Sequence, residues 1–354
     1  MDNRIKELHG NATVVDGHNH MMMDIYQRRY SGERRVFSNH YAPLARRGGV
    51  NVLFTNVGGD NFGLTDNTDL LLIGAISIMD MLFEEAEESS DTLVICRNSH
   101  DMDTALAEGK IAVLMTIEGA RPLEGRPHRP TLAILRSFYR QGLRGVQLVD
   151  NGRNRIADGK GESRSRGGLT HFGISVVKEM NRLGMIIDVA HIAEPGFWDV
   201  IEASQSPVID SHSNAFSVCD HPRNLKDGQI KALAQKGGLV GLSCNSAMVN
   251  KENETPTIDD LMRHLDHIVD LVGTEHVALG PDLIGPHPGP PTESPGVLEG
   301  VRYAVRTNHY IREVSSITDI PRITEALVKR GYKDEDIKKI LGGNLLRVYR
   351  QIIA

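Results

Sequence analysis

Apolar and polar positions along the chain fall into two alternating kinds of segment. Short, mostly β-branched apolar runs occupy 13–17, 51–56, 111–117, 145–149, 185–189, 207–209, 239–243 and 276–279. Between them, 130–140, 173–183, 195–203, 227–236 and 258–272 place apolar residues three and four apart, the period of a helix with one buried face. Runs with so few polar interruptions suit strands covered on both faces, which is the condition of a parallel sheet. The eight alternating units predict an α/β fold, a single (β/α)8 barrel of the TIM type over residues 1–354. A doubly wound open sheet is the competing arrangement, but no Gly-x-Gly-x-x-Gly opens a helix after the first run.

Three connections are too long to be plain turns. Residues 58–110 carry a helical pattern at 69–89, 151–170 are rich in Gly, Arg and Ser, and 285–291 read Gly-Pro-His-Pro-Gly-Pro-Pro. Each follows a strand, so each lies over the C-terminal mouth of the barrel, where such folds keep their chemistry. The pattern at 334–349 reads as a helix pair broken at Gly342-Gly343-Asn344.

Composition narrows the partners. A net charge of −6 over 354 residues offers no basic footprint for nucleic acid or an anionic membrane. Cys96, Cys219 and Cys244 are widely spaced and odd in number, so reduced, buried thiols are expected rather than disulfides. The first residues are polar, without the apolar core of a secretory signal, and no apolar run reaches the length of a membrane span. A cytoplasmic protein is the expectation.

The polar residues at the strand ends carry the chemistry. Val14-Val15-Asp16-Gly17-His18-Asn19-His20 ends an apolar run in two histidines, Glu118 follows 111–117, His191 follows 185–189, His212 follows 207–209 and Asp282 follows 276–279. Singly, each carboxylate reads as a helix cap and each histidine as a solvated loop residue. Together they place four imidazoles and two carboxylates on one rim, which predicts a metal site. With no cysteine among them, His and carboxylate suit Zn2+. Six groups suit two ions about 3.5–4 Å apart, bridged by one carboxylate and a hydroxide. His18, His20 and Glu118 would hold the first ion, Glu118, His191 and His212 the second, and Asp282 would handle the proton of the attacking water.

These residues resemble the zinc-dependent membrane dipeptidases, the renal dipeptidase-like peptidase family M19 of the amidohydrolase superfamily. The resemblance runs nearly the whole length, through Asp16-Gly17-His18-Asn19, Ile117-Glu118-Gly119, Gly168-Leu169-Thr170-His171-Phe172-Gly173, 180–188, Ser211-His212-Ser213, Arg223-Asn224 and Leu341-Gly342-Gly343-Asn344. It implies hydrolysis of dipeptides, some with a D-residue on the C-terminal side, at a bridged two-zinc centre. It further implies that His18, Glu118, His191 and His212 are ligands, that Asp282 handles the catalytic water, and that Arg223 pairs with the substrate carboxylate. Relatives are often dimeric, so a homodimer is expected.

Three positions depart from the family pattern. His20 stands where the family has an aspartate, which leaves Glu118 the one carboxylate among the ligands. Asp150 stands where a histidine or aromatic often meets the substrate, and is expected to hold a substrate ammonium. Pro281 and Leu283 replace the usual neighbours of Asp282. These changes keep open a related reaction on an N-acyl amino acid, a lactone or another small amide, and a non-catalytic binding barrel if a metal were lost. Among the remaining residues, Asp188 and Asp210 read as partners of metal histidines or as plain strand residues, His221 and His287 as pocket-wall candidates, and Trp198 as packing.

Overall fold

The structure is a computed structural model that describes residues 2–60, 68–126, 129–283 and 310–353. The expected loop at 285–291, with His287, lies outside the described residues. Eight strands carry the site: β1 (Val14–Asn19), β2 (Val50–Gly59), β3 (Ile111–Glu118), β4 (Leu143–Gln147), β5 (Ile186–Asp188), β6 (Val208–Ser213), β7 (Leu239–Leu242) and β8 (Val277–Leu279). Each is paired in parallel with the next through seven ladders, in simple chain order. Between β8 and β1 a single bridge from Asn19 to Leu283 closes the ring. Gly17 makes that closure possible, since a Cβ there would stand 2.6 Å from the Leu279 carbonyl oxygen. The expected (β/α)8 barrel is the fold observed.

Strand periodicity sorts the apolar residues into two layers. Val15, Val52, Phe54, Ala112, Leu114, Ile186, Ile209 and Ala278 form one cluster inside the barrel. Their neighbours Val14, Leu53, Val113, Met115, Ile187, Val208, Val240 and Val277 pack outward against the helices. On β3 the inner row runs Ala112, Leu114, Thr116, Glu118, so the same alternation that fills the barrel delivers a carboxylate to its mouth.

The helices follow the sequence pattern closely. His171–Leu183 begins where Thr170 accepts a hydrogen bond from the Gly173 N–H at 3.0 Å, and Ile258–Val272 begins with a capping box of Thr257 and Asp260. Glu194–Ala203 and Asp227–Gln235 follow β5 and β6. Within the long connection after β2 lie the helix Thr68–Glu88 and a further strand, Leu93–Ile95, that was not expected. It pairs with Ile111–Val113, the lower part of the β3 edge that β4 takes over from Met115.

One expectation fails at the end of the barrel. The break at Gly342-Gly343-Asn344 is absent: a π-helical turn, Lys339–Gly343, runs straight into the helix Asn344–Ile352. Gly342 is there for contact, because a Cβ would sit 2.2 Å from the Thr13 carbonyl oxygen. Asn344 anchors the turn, its amide donating to the carbonyls of Thr274 at 2.7 Å and Val277 at 2.8 Å. Leu345, Val348 and Tyr349 of this helix join the inner cluster and seal the barrel floor.

Candidate metal centre

Glu118 is the hub of the site. Its Oε1 lies 3.5 Å from His18 Nε2, 3.4 Å from His191 Nε2 and 3.7 Å from His212 Nε2, while Oε2 lies 3.4 Å from His20 Nε2. Around it the rings pair off, with Nε2 to Nε2 separations of 3.1 Å for His18 and His20 and 2.9 Å for His191 and His212. Asp282 Oδ1 stands 3.3 Å from His20 Nε2 and 3.9 Å from His18 Nε2. Ligand atoms of His18, His20 and Glu118 all lie within 4.8 Å of one another, as do those of Glu118, His191 and His212. Imidazole nitrogens and a carboxylate facing one point are the donors that Zn2+ and similar divalent ions take. Glu118 is common to both groups, its Oε1 facing His18, His191 and His212 and its Oε2 facing His20.

Each side chain arrives by a different local device. His18 and His212 sit within β1 and β6. His20 has already left the strand, at φ −109° and ψ 23°, and stands at the N-cap of the helix Met21–Tyr30. His191 and Asp282 follow their strands in the left-handed region, at φ 66° and 60°. That conformation costs on the order of 1 kcal/mol or more in a residue with a side chain, and it persists where surrounding contacts hold it. The close register of β1 against β8, through Asn19 and Leu283, brings His20 and Asp282 together across the seam.

A second layer holds the rings in place. Ser211 Oγ lies 2.8 Å from His212 Nδ1 and 3.4 Å from His18 Nδ1. Asp188 accepts the Ala190 and Ser211 N–H groups at 3.0 Å each, fixing the turn out of β5 against β6. Asn56 places its amide 3.2 Å from His18 Nε2 and is itself held by the Thr116 hydroxyl at 2.8 Å. Asp150 is 5% exposed, and its Oδ1 lies 2.9 Å from His191 Nδ1, beside the Asn151 amide oxygen at 3.0 Å. A carboxylate against the far nitrogen of a ligand imidazole fixes its tautomer and aims the other nitrogen at the ion.

The charges in the centre are strongly coupled. Burial works to raise the Glu118 carboxyl, but the His20 and His18 rings hold it well below the usual range. Burial lowers His18, yet the charge and hydrogen bond of Glu118, with the Asp282 and Asp188 charges, together outweigh it and the net shift is upward. For His191, burial and Arg223 push down while Asp150 and Glu118 push up more strongly. Burial, His18 and Arg223 together press His212 well below its usual value. A buried cluster that divides its protons this unevenly is poised to exchange them for a cation.

Arg223 is also brought to the centre. It is buried, its Nη2 donating to the His212 carbonyl at 3.3 Å, and its Nη1 has no hydrogen-bond partner. A fully buried guanidinium nitrogen left unpaired is costly and is found where a ligand completes it.

Comparison with known proteins fits this geometry. The family model for membrane dipeptidases, peptidase family M19, matches residues 2–292 and 306–354. The chain belongs to the M19 membrane dipeptidase family. It is 32% identical to Dipeptidase verJ of Clonostachys rogersoniana over 76% of this chain, and 30% identical to Dipeptidase tcpJ of Claviceps purpurea over 77%. Those matches span 63% and 59% of the two fungal proteins' own lengths. Among solved structures, an amidohydrolase from Pseudomonas aeruginosa superposes with a TM-score of 0.81 at 23% identity, covering 99% of both chains. A metallo peptidase from Rhodobacter sphaeroides, liganded with a phosphinate mimic of the dipeptide L-Ala-D-Ala, gives a TM-score of 0.81 at 21% identity over 96% of this chain and 99% of its own. Both likenesses concern the fold. Despite the family's name, no helix among the described residues is long and apolar enough to cross a membrane.

The structure brings together all of His18, His20, Glu118, His191, His212 and Asp282, with Arg223 beside them. Asp150 lies in the second layer, against an imidazole rather than in the open mouth. Trp198 does not read as packing alone, being 41% exposed with its ring edge-on to Phe197 at 5.2 Å between centroids. Sequence reasoning missed Ser211 and Asn56. A signal was present for Ser211, a polar residue next to a candidate ligand on a strand, whereas Asn56 looked like a strand end.

Proposed function

We propose that this chain is a metal-dependent dipeptidase that hydrolyses the amide bond of small dipeptides, including those with a D-residue on the C-terminal side. The observation that carries the reading is the unpaired Nη1 of buried Arg223 beside the convergent cluster of four imidazoles and Glu118. His18, His20 and Glu118 would hold one ion, and Glu118, His191 and His212 a second, with Zn2+ the ion their donors suit. When bound, such ions supply Lewis acidity toward the scissile carbonyl and a water acidic enough to attack near neutral pH.

The chain's own groups do the rest. Arg223 grips the substrate's C-terminal carboxylate, which positions the amide carbonyl over the cluster. Asp282, at the rim beside His20, takes a proton from the attacking water as its oxygen bonds to the carbonyl carbon. It returns that proton to the amine nitrogen as the C–N bond breaks. Asp150 acts through His191, holding the ring by its Nδ1. The fold likeness to a protein that holds an L-Ala-D-Ala mimic supports the size of substrate.

The test is metal content per chain of purified protein, with cleavage of L-Ala-L-Ala and L-Ala-D-Ala followed by amine release from the same sample. Two zinc ions per chain and cleavage are expected. Full metal loading with no cleavage of either peptide would overturn the dipeptidase reading.

A further inference from the structure

Beside the metal centre lies a cavity of about 600 Å³, walled by residues of the connections after β4, β5 and β6, among them Lys160, Arg166, Trp198, Phe216, Asn224 and Lys226. Of its charged walls, Lys226 is paired with Glu194 at 2.7 Å. Lys160 and Arg166 remain, and neither has a carboxylate within ion-pair distance among the described residues. The cavity walls therefore carry a surplus of positive charge, although the Glu194 and Asp210 carboxylates act on Lys160 from beyond ion-pair distance.

Lys160 is tied to the metal centre through its backbone, and Arg223 through its side chain. The Lys160 N–H donates to the His191 carbonyl at 2.7 Å, while Arg223 Nη2 donates to the His212 carbonyl at 3.3 Å. His191 and His212 follow from the adjacent strands β5 and β6, so the Lys160 backbone and the Arg223 guanidinium are held by neighbouring ligand carbonyls. Asn224, the next residue after Arg223, lines the same cavity as Lys160. Burial lowers the Lys160 ammonium to about 8, and Arg223 is the foremost charge adding to that. The buried Asp210 carboxylate acts on both cations, yet Arg223 Nη1 is still left without a hydrogen-bond partner, a position an anion would complete.

We propose that Lys160, with Arg166 behind it, forms a second anion subsite beside Arg223, so that preferred substrates are dipeptides whose C-terminal residue bears an acidic side chain. This rests on the dipeptidase reading for the identity of the ligand. Arg223 takes the α-carboxylate, and the side-chain carboxylate of an aspartyl or glutamyl residue reaches Lys160. Phe216 and Trp198 also wall the cavity and offer apolar surface to the methylenes of a longer acidic chain.

Two measurements on the metal-loaded, full-length protein test it. The first is kcat/KM for L-Ala-D-Asp and L-Ala-L-Asp against L-Ala-D-Ala and L-Ala-L-Ala. The second is calorimetric binding of D- and L-aspartate against D- and L-alanine, which needs no turnover. A charged hydrogen bond of ordinary strength predicts an acidic-to-neutral ratio of about tenfold or more in both. In Lys160→Gln that ratio falls toward one, and Lys160→Arg restores it. A wild-type ratio near one, or a ratio unchanged in Lys160→Gln, overturns the subsite. If Lys160→Gln does not fold, Lys160→Met and the wild-type ratio decide. Aspartate binding that depends on Lys160 without cleavage of any dipeptide would sink the hydrolytic reading and leave the subsite standing. Cleavage without acidic preference would do the reverse.

Discussion

Asp150 and Asp282 are both carboxylates beside imidazoles, yet the structure gives them different surroundings. Asp282 sits partly open at the rim next to His20, whereas Asp150 is buried behind His191. Asp282→Asn, unable to take up a proton, is expected to abolish dipeptide turnover with metal content retained, and His191→Ala to abolish turnover with loss of metal. Circular dichroism should show both variants folded, and near-wild-type rates in either would refute the roles assigned. Asp150→Asn keeps the shape but weakens the hold on the His191 ring. Loss of such a partner costs about 10–100-fold in metal affinity, measurable by competition with a chromophoric chelator. If Asp150 met the substrate instead, KM would rise while metal affinity stayed put. The raised His18 and His191 values also set a direction with pH. Protons compete with the ion for these rings, so metal binding should release protons and fail on acidification through the histidine range.

At the scale of elements, the clearest structural commitment outside the site is the knot between the helices Met21–Tyr30 and Thr68–Glu88. Arg29 is buried and donates to Glu85 at 2.7 Å, to Glu84 at 2.7 Å and to Glu88 at 2.8 Å. Glu85, also buried, accepts in addition from the Phe37 N–H at 2.7 Å. Arg29→Ala strands that carboxylate in the interior, and such losses cost about 3–5 kcal/mol, to be read as a lowered midpoint in urea unfolding. An unchanged midpoint would mean the knot contributes nothing. The knot was invisible in the sequence, because nothing about Glu84-Glu85 within a helix marks one of the two as buried. Helix bounds were legible for a local reason: Thr170 and Thr257 are caps whose chemistry acts over three residues. Leu93–Ile95 was not, because a strand so short is decided by the edge it finds on β3 rather than by its own pattern.

For the molecule as a whole, the barrel was legible because its strands, covered on both faces, needed apolar runs wherever they occurred. The site was legible because each of its groups stands within a few residues of a strand end. What distance in sequence hides is who stands behind whom: that Asp150 backs His191, that Ser211 serves two rings, and that Lys160 shares a cavity with Asn224, the neighbour of Arg223. Buried acids set another whole-molecule property. Burial raises Asp60 from 3.8 to about 7, partly offset by the Arg121 N–H. Its folded value lies above the unfolded one, so its contribution to stability is complete below about pH 4 and is lost as the pH climbs through about 7. Linkage places the change at up to about 4 kcal/mol for a shift of this size. Asp60→Asn, which cannot ionise, should flatten the stability profile between pH 4 and 7; a profile as steep as wild type would show that other groups set it.

The ring has seven laddered joints and one seam held by the Asn19–Leu283 bridge. A hoop riveted once at one joint and stitched at the others gives way at the rivet. That rivet lies one residue from His20 on one side and next to Asp282 on the other. Thermal breathing of the barrel is therefore expected to concentrate between His20 and Asp282, and amide exchange at Leu283 should outpace that of the β2 and β3 ladders. A seam that yields would let the Asp282 carboxylate shift against Glu118, His191 and His212, which stand on laddered strands away from it.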